Sequence, residues 1–169
     1  FMKTVEEILV SPMPAWTVVC GYVTGSLLRG LVIGMLVFGS AYIFEVIPVA
    51  HPFLALLIAS MTAIVFSLVG LVNAIYAKGF DGINFIPTFV IVPLTYLGGV
   101  FYSISLLPPL WQTISYFNPV LYMVNAFRFS ILGFSDIPFF TSLAVLSLCA
   151  AIVFAWVLYL FKTGRGLKA

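Results

Sequence analysis

The sequence predicts an all-α, polytopic helical membrane protein, and three observations carry that expectation. Of 169 residues, 63% are hydrophobic and only 7% charged; a soluble domain has about 25% charged residues, and this chain could not cover itself with water-compatible surface. Its apolar residues run in long blocks, as spanning helices require, and do not alternate like the strands of an outer-membrane barrel. All charges but Arg29 gather between and beyond those blocks, giving four transmembrane helices, a surface helix before them and an irregular segment before the last span. A net charge of +2 is too small to imply nucleic acid. Cys20 and Cys149 lie in apolar runs without neighbouring ligands, so neither a disulfide framework nor a metal site is expected.

The surface helix occupies residues 4–10. Thr4 and Glu7 form a capping box, in which the Thr hydroxyl accepts from the Glu7 N–H and the Glu7 carboxylate accepts from the Thr4 N–H. Glu6 and Glu7 also sit at the positive end of the helix dipole. Val5, Ile8 and Leu9 share one face, and Pro12 bars Ser11 from helical geometry, so the helix stops there. Two readings fit it: a membrane-surface anchor, or a docking helix that carries force from a soluble partner into the spans.

The first span, 16–44, contains two GxxxG motifs, Gly21/Gly25 and Gly30/Gly34, on nearly opposite sides, which predicts packing on two sides. Arg29 lies within it and faces either protein, a wet cavity or, by snorkelling, the near headgroups. His51 stands in the loop that follows, with nothing to complete a metal site. The second span, 53–77, offers Ser67, Gly70 and Ala74 as a packing seam, with Asn73 either bonding across helices or lying near the interface. The third, 85–101, is broken. Pro87 is tolerable in a first turn, Pro93 removes an internal hydrogen bond and kinks the helix, and Gly98-Gly99 bends or ends it. Such a break either lines a path through the protein or is an ordinary proline kink.

Residues 102–138 are the least regular stretch: a short helix from Pro108-Pro109 through Trp111 to Tyr116, a stop at Asn118-Pro119, then a helix from about Val120 to Gly133 carrying Arg128. Charge parity keeps this segment from being a span. If it stays outside, the last span, 139–161, returns Lys162, Arg165 and Lys168 to the side of Lys3 and Lys78, as the positive-inside tendency expects. The expected topology is a cytoplasmic helix, four spans and an external re-entrant helix pair, with both ends cytoplasmic.

No catalytic constellation is visible. The chain lacks a GxxxxGK[ST] loop for ATP, its serines lack a nearby base, and Asp81 and Asp136 fall at opposite faces. An enzyme is not expected.

The ordered set Glu6-Glu7-Ile8-Leu9-x-Ser11-Pro12, Pro93 through Tyr102, Leu107-Pro108-Pro109-x-Trp111, Asn118-Pro119-x-x-Tyr122, Phe127-Arg128 and Leu132-Gly133 resembles the type-2 ABC transporter permease family, most closely its YadH/NodJ-like bacterial inner-membrane members. The resemblance covers essentially the whole chain. It implies a permease subunit of an ATP-driven exporter, acting as a homodimer or paired with a second permease in membrane lipid. A separate ABC ATP-binding subunit would hold ATP and Mg²⁺, and this chain would bind no cofactor. By resemblance, Thr4 to Leu9 is the coupling helix and 102–138 the external helices capping the path. Arg29 would then steady an inner cavity, Pro93, Gly98 and Gly99 would supply the bend, and Trp111, Asn118, Pro119 and Arg128 would belong to the external helices. The family's first two spans have no counterpart here, which with the Phe1 start suggests a piece of a longer chain. A non-transporting scaffold that docks an ATPase or assembly factor is the alternative, and it has no need of a broken span.

Overall fold

A computed structural model describes residues 14–44, 48–77 and 80–163. The coupling-helix residues Thr4 through Pro12 lie outside the described residues. Among those described, the regular structure is helical throughout: α1 (Ala15–Phe44), α2 (Pro52–Tyr76), α3 (Phe80–Ile86), a π turn (Pro87–Ile91), α4 (Val92–Leu97), a 3₁₀ turn (Ile104–Leu106), α5 (Pro109–Tyr116), α6 (Pro119–Leu132) and α7 (Phe139–Thr163). Proline in the first turn starts α2, α5 and α6, where its missing N–H costs nothing. Gly133, at φ +78, ends α6 in the left-handed conformation that glycine adopts most readily.

Three helices, α1, α2 and α7, are long and apolar enough to cross a membrane. Their exposed surfaces carry Leu28, Leu36, Phe53, Leu148 and Ile152, as lipid-facing helices should. From Phe80 to Leu97, α3, the π turn and α4 run on as one interrupted helix, about 27 Å long at 1.5 Å per residue. It starts and ends a few residues before the expected 85–101. The polytopic all-α class therefore holds, and the broken helix is apolar but shorter than the three described helices that are long enough to cross a membrane.

The core has two main apolar clusters. Val19 of α1, Leu68 and Val72 of α2, and Val157 and Leu160 of α7 meet at one end. Ile58 and Val65 of α2, Met123 and Ala126 of α6, and Leu146 of α7 meet in the other half. The first end thus gathers the start of α1, the close of α2 and the close of α7. Asn73 adds the start of the broken helix by donating to the Ile83 carbonyl. At the opposite end the Ala50 and His51 amides donate to the Ile131 and Ser130 carbonyls, at 2.9 Å each. His51 stacks on Phe129, which in turn contacts Phe139 at the head of α7. These contacts place the C-terminal end of α6 beside the start of α2 and the head of α7, at the opposite end of α7 from Lys162.

Two packing expectations need correction. Of the four glycines in the GxxxG motifs, only Gly30 approaches another helix, where a Cβ would lie 3.5 Å from Ala63; Gly21, Gly25 and Gly34 face open space. The α2 seam runs through Ile58, Val65, Leu68 and Val72, while Ala74 is exposed and Gly70 has no near neighbour.

Candidate functional site

The broken helix owes its form to two prolines, and its neighbours supply what the prolines remove. Pro87 has no N–H to offer the carbonyl four residues back, that of Ile83. Asn73, 8% exposed in the last turns of α2, donates its Nδ2 to that carbonyl at 2.6 Å. Pro93 would likewise leave the Phe89 carbonyl unpaired and press its ring against it. The backbone widens just before it into the π turn, where the Val92 N–H reaches back five residues to the Pro87 carbonyl. The irregularity expected at Pro93 thus appears one turn earlier, as the π turn.

The far end is held the same way. The Gly98 N–H bonds the Thr95 carbonyl at 3.2 Å, so the Leu94 carbonyl loses its usual partner. Asn118 fills the gap, donating Nδ2 to Leu94 at 2.6 Å while its Oδ1 accepts from the Val120 N–H at 2.9 Å and caps α6. Gly98 lies so close to α6 that an added Cβ would sit 2.9 Å from Val120 Cγ1. Gly99 turns the chain at φ +72, and its carbonyl accepts from Arg128 Nη2 at 2.8 Å.

Arg128 is itself fixed. Its Nη1 pairs with Asp136 Oδ2 at 3.0 Å, and that oxygen also accepts from Ser103 Oγ at 2.9 Å. The Asp136 N–H donates to Asn125 Oδ1 at 3.1 Å, and Asn125, nearly fully buried on α6, donates to the Leu121 carbonyl. Three side chains, Asn73, Asn118 and Arg128, therefore tie successive carbonyls of the broken helix and its exit turn to the rest of the protein. In lipid such carbonyls must find partners within the protein.

Of the candidate residues, the structure brings Pro93, Gly98, Gly99, Asn118, Pro119 and Arg128 together. Trp111 lies half-exposed on α5, away from the three ties. Arg29 stands exposed on the open face of α1, beside a groove of about 590 Å³ shared with Gly21 and Gly25. Asn125, Ser103 and Asp136 were not among the candidates, whereas Asn73, expected either to bond across helices or to lie near the interface, does bond across, to Ile83. For Asp136 a signal was present: Arg128 and Asp136 are the only charges between 102 and 138, and a lone base and lone acid in an apolar segment should pair.

Beside this assembly a cleft of about 910 Å³ opens between the second half of α1, the first half of α2 and α6. No cluster of His, Cys, Asp or Glu among the described residues could hold a metal.

Residues 1–132 match the ABC-2 type transporter family. The chain belongs to this family. Over all 169 residues this ABC-2 chain is 43% identical to the inner membrane transport permease YadH of Escherichia coli K12, and equally to that of Shigella flexneri. It covers 66% of the length of those curated relatives. Over 107 residues, 54% of this chain and 41% of the relative, it is 29% identical to nodulation protein J of Rhizobium leguminosarum bv. trifolii. No solved structure matches it.

Proposed function

We propose that this ABC-2 chain forms part of the transmembrane permease subunit of an ATP-driven exporter in the bacterial inner membrane, powered by a separate ATPase subunit. The observation that carries the proposal is the broken helix: an interrupted span whose carbonyls are held by side chains from α2, the α5–α6 turn and α6. Interhelical hydrogen bonds of this kind are worth about 0.6 kcal/mol each on average. A few of them order the helix yet leave it releasable by a moderate push. Family membership, and the likeness to permeases named for inner-membrane transport, support the placement.

In this reading Thr4, Glu6, Glu7, Ile8, Leu9, Ser11 and Pro12 form the cytoplasmic coupling helix that meets the ATPase. ATP and Mg²⁺ stay on that partner. A second permease copy completes the path, and closure of the nucleotide-binding subunits moves the spans so that the Gly98–Gly99 end of the broken helix parts from α6. The basic ends of this segment lie in the cytoplasm.

Reversing the charge of Glu6 and Glu7 to Lys in the intact permease is expected to abolish co-purification of the ATPase and substrate-stimulated ATP turnover. Unchanged recovery of the ATPase would refute the docking role. Pro93→Leu restores a donor to the broken helix and is expected to stop export while leaving the ATPase bound; normal export by that variant would show that the break plays no part in transport.

A further inference from the structure

We infer that the broken helix presents a water-facing wall at mid-depth in the membrane, centred on the carbonyl and hydroxyl of Thr88. In a regular α-helix the Thr88 carbonyl accepts from the N–H four residues on, that of Val92. In the π turn the Val92 N–H goes instead to the Pro87 carbonyl. The next residue is Pro93, which has no N–H. The side chains that serve carbonyls of this helix act towards its two ends, Asn73 on Ile83 and Asn118 on Leu94. The Thr88 hydroxyl is likewise free among the described residues, whereas that of Thr95 bonds back to the Ile91 carbonyl at 2.8 Å. Thr88 thus offers an acceptor and a hydroxyl side by side, midway between Phe80 and Leu97.

Hydrocarbon has nothing to give either group, so backbone of this kind persists at membrane depth only where protein buries it or water reaches it. Thr88 and its neighbours Phe89 and Val90 are exposed, so the described chain does not bury them. Water donates to the carbonyl and exchanges a hydrogen bond with the hydroxyl, which satisfies both. A metal ion does not fit. Among the described residues no group of acids could hold one, and one carbonyl with one hydroxyl falls far short of the roughly six oxygens that a hard cation collects. The surface of the helix divides accordingly. Asn84, one turn before Thr88 on the same face, is exposed as well. About 100° round the axis, Phe89 is 67% exposed, and its ring lies 5.2 Å from that of Phe85; that aromatic side suits lipid. As the wall of a transport path, this face rests on the exporter reading; as a wet face it needs no ATPase.

The test is spin labelling of the intact permease in phosphatidylcholine nanodiscs, without nucleotide or ATPase, with Cys20 and Cys149 replaced by alanine. A nitroxide is attached to Thr88→Cys, Asn84→Cys or Phe89→Cys in turn. Its collisions are then measured with a water-soluble nickel chelate and with oxygen, which concentrates in hydrocarbon. The ratio of nickel to oxygen collisions should be several-fold higher at 88 and 84 than at 89. Asn84→Cys keeps the comparison readable should Thr88→Cys fail to insert. Oxygen-dominated collisions at 88 and 84, as at 89, would put lipid against this face and overturn the inference. Scarce collisions with both reagents at 88 and 84 would overturn it too, the result expected if a second copy or another protein segment covers the face. Equal nickel access at all three positions would show that the helix has no wet side distinct from a lipid side, and the inference would fall. Nickel access at 88 in a permease that recovers no ATPase would instead count against the exporter reading and leave the wet face standing.

Discussion

Asn118 concentrates much of the chemistry of the site in one amide: its oxygen caps α6 and its nitrogen holds Leu94. A serine there retains an oxygen suited to capping but is too short to reach the Leu94 carbonyl. Asn118→Ser should therefore lose the interhelical bond, about 0.6 kcal/mol, while Asn118→Ala also loses the cap, about 1 kcal/mol more. Thermal unfolding in detergent should rank the proteins wild type, Ser, Ala in falling stability. Equal losses for Ser and Ala would show that the cap contributes nothing. The two adjacent glycines illustrate how far residue identity speaks from sequence. Gly98-Gly99 marked the end of the helix correctly, but the reasons differ at the two positions: Gly98 is small because Val120 lies against it, and Gly99 because the chain turns left-handed. The second reason is local and legible, whereas the first depends on where α6 docks.

At the scale of the element, the broken helix was legible as broken because proline chemistry is local. Its exact form was not, because a π turn redistributes the defect upstream and tertiary donors decide which carbonyls can stay unpaired. Asn73 and Pro87 make this testable as a pair. If Asn73 serves the carbonyl that Pro87 leaves free, then restoring the backbone donor should make the asparagine dispensable. Asn73→Ala should destabilise the wild-type background by about 1 kcal/mol, and it should cost far less in a Pro87→Ala background. A double-mutant cycle read by thermal unfolding gives the coupling directly. Additive losses would mean that the 2.6 Å contact between Asn73 and Ile83 has no connection to the proline.

Across the whole molecule, composition alone was enough for the membrane class. Packing faces were misread, and the physical reason is general. In lipid the outward and inward faces of a helix are both apolar, so hydropathy does not separate Val65 and Leu68, which are buried, from Leu56 and Leu57, which are exposed. Small residues mislead for the same reason, since Gly21 and Gly25 would permit a close neighbour that the described chain does not provide. The architecture that results is divided between parts held by apolar clusters and parts held by polar ties. The helices α2 and α7 share both clusters, whereas the residues around 94–106 are held by Asn118, Arg128 and the Ser103–Asp136 bond, with the small apolar contact of Ile104 with Leu121 and Ile137 beside them. A few interhelical bonds of about 0.6 kcal/mol yield before a packed core does, in which losing one large side chain costs about 2–5 kcal/mol. Under the proposed exporter function, ATP-driven movement should therefore appear first at the polar ties. Hydrogen–deuterium exchange of the intact transporter, compared with and without a trapped ATP-bound state of its ATPase, is expected to show faster exchange at 94–106 and little change at 58–72 and 146–160. Equal change in all three segments would mean that the bundle moves as one body, and that the broken helix is not its gate.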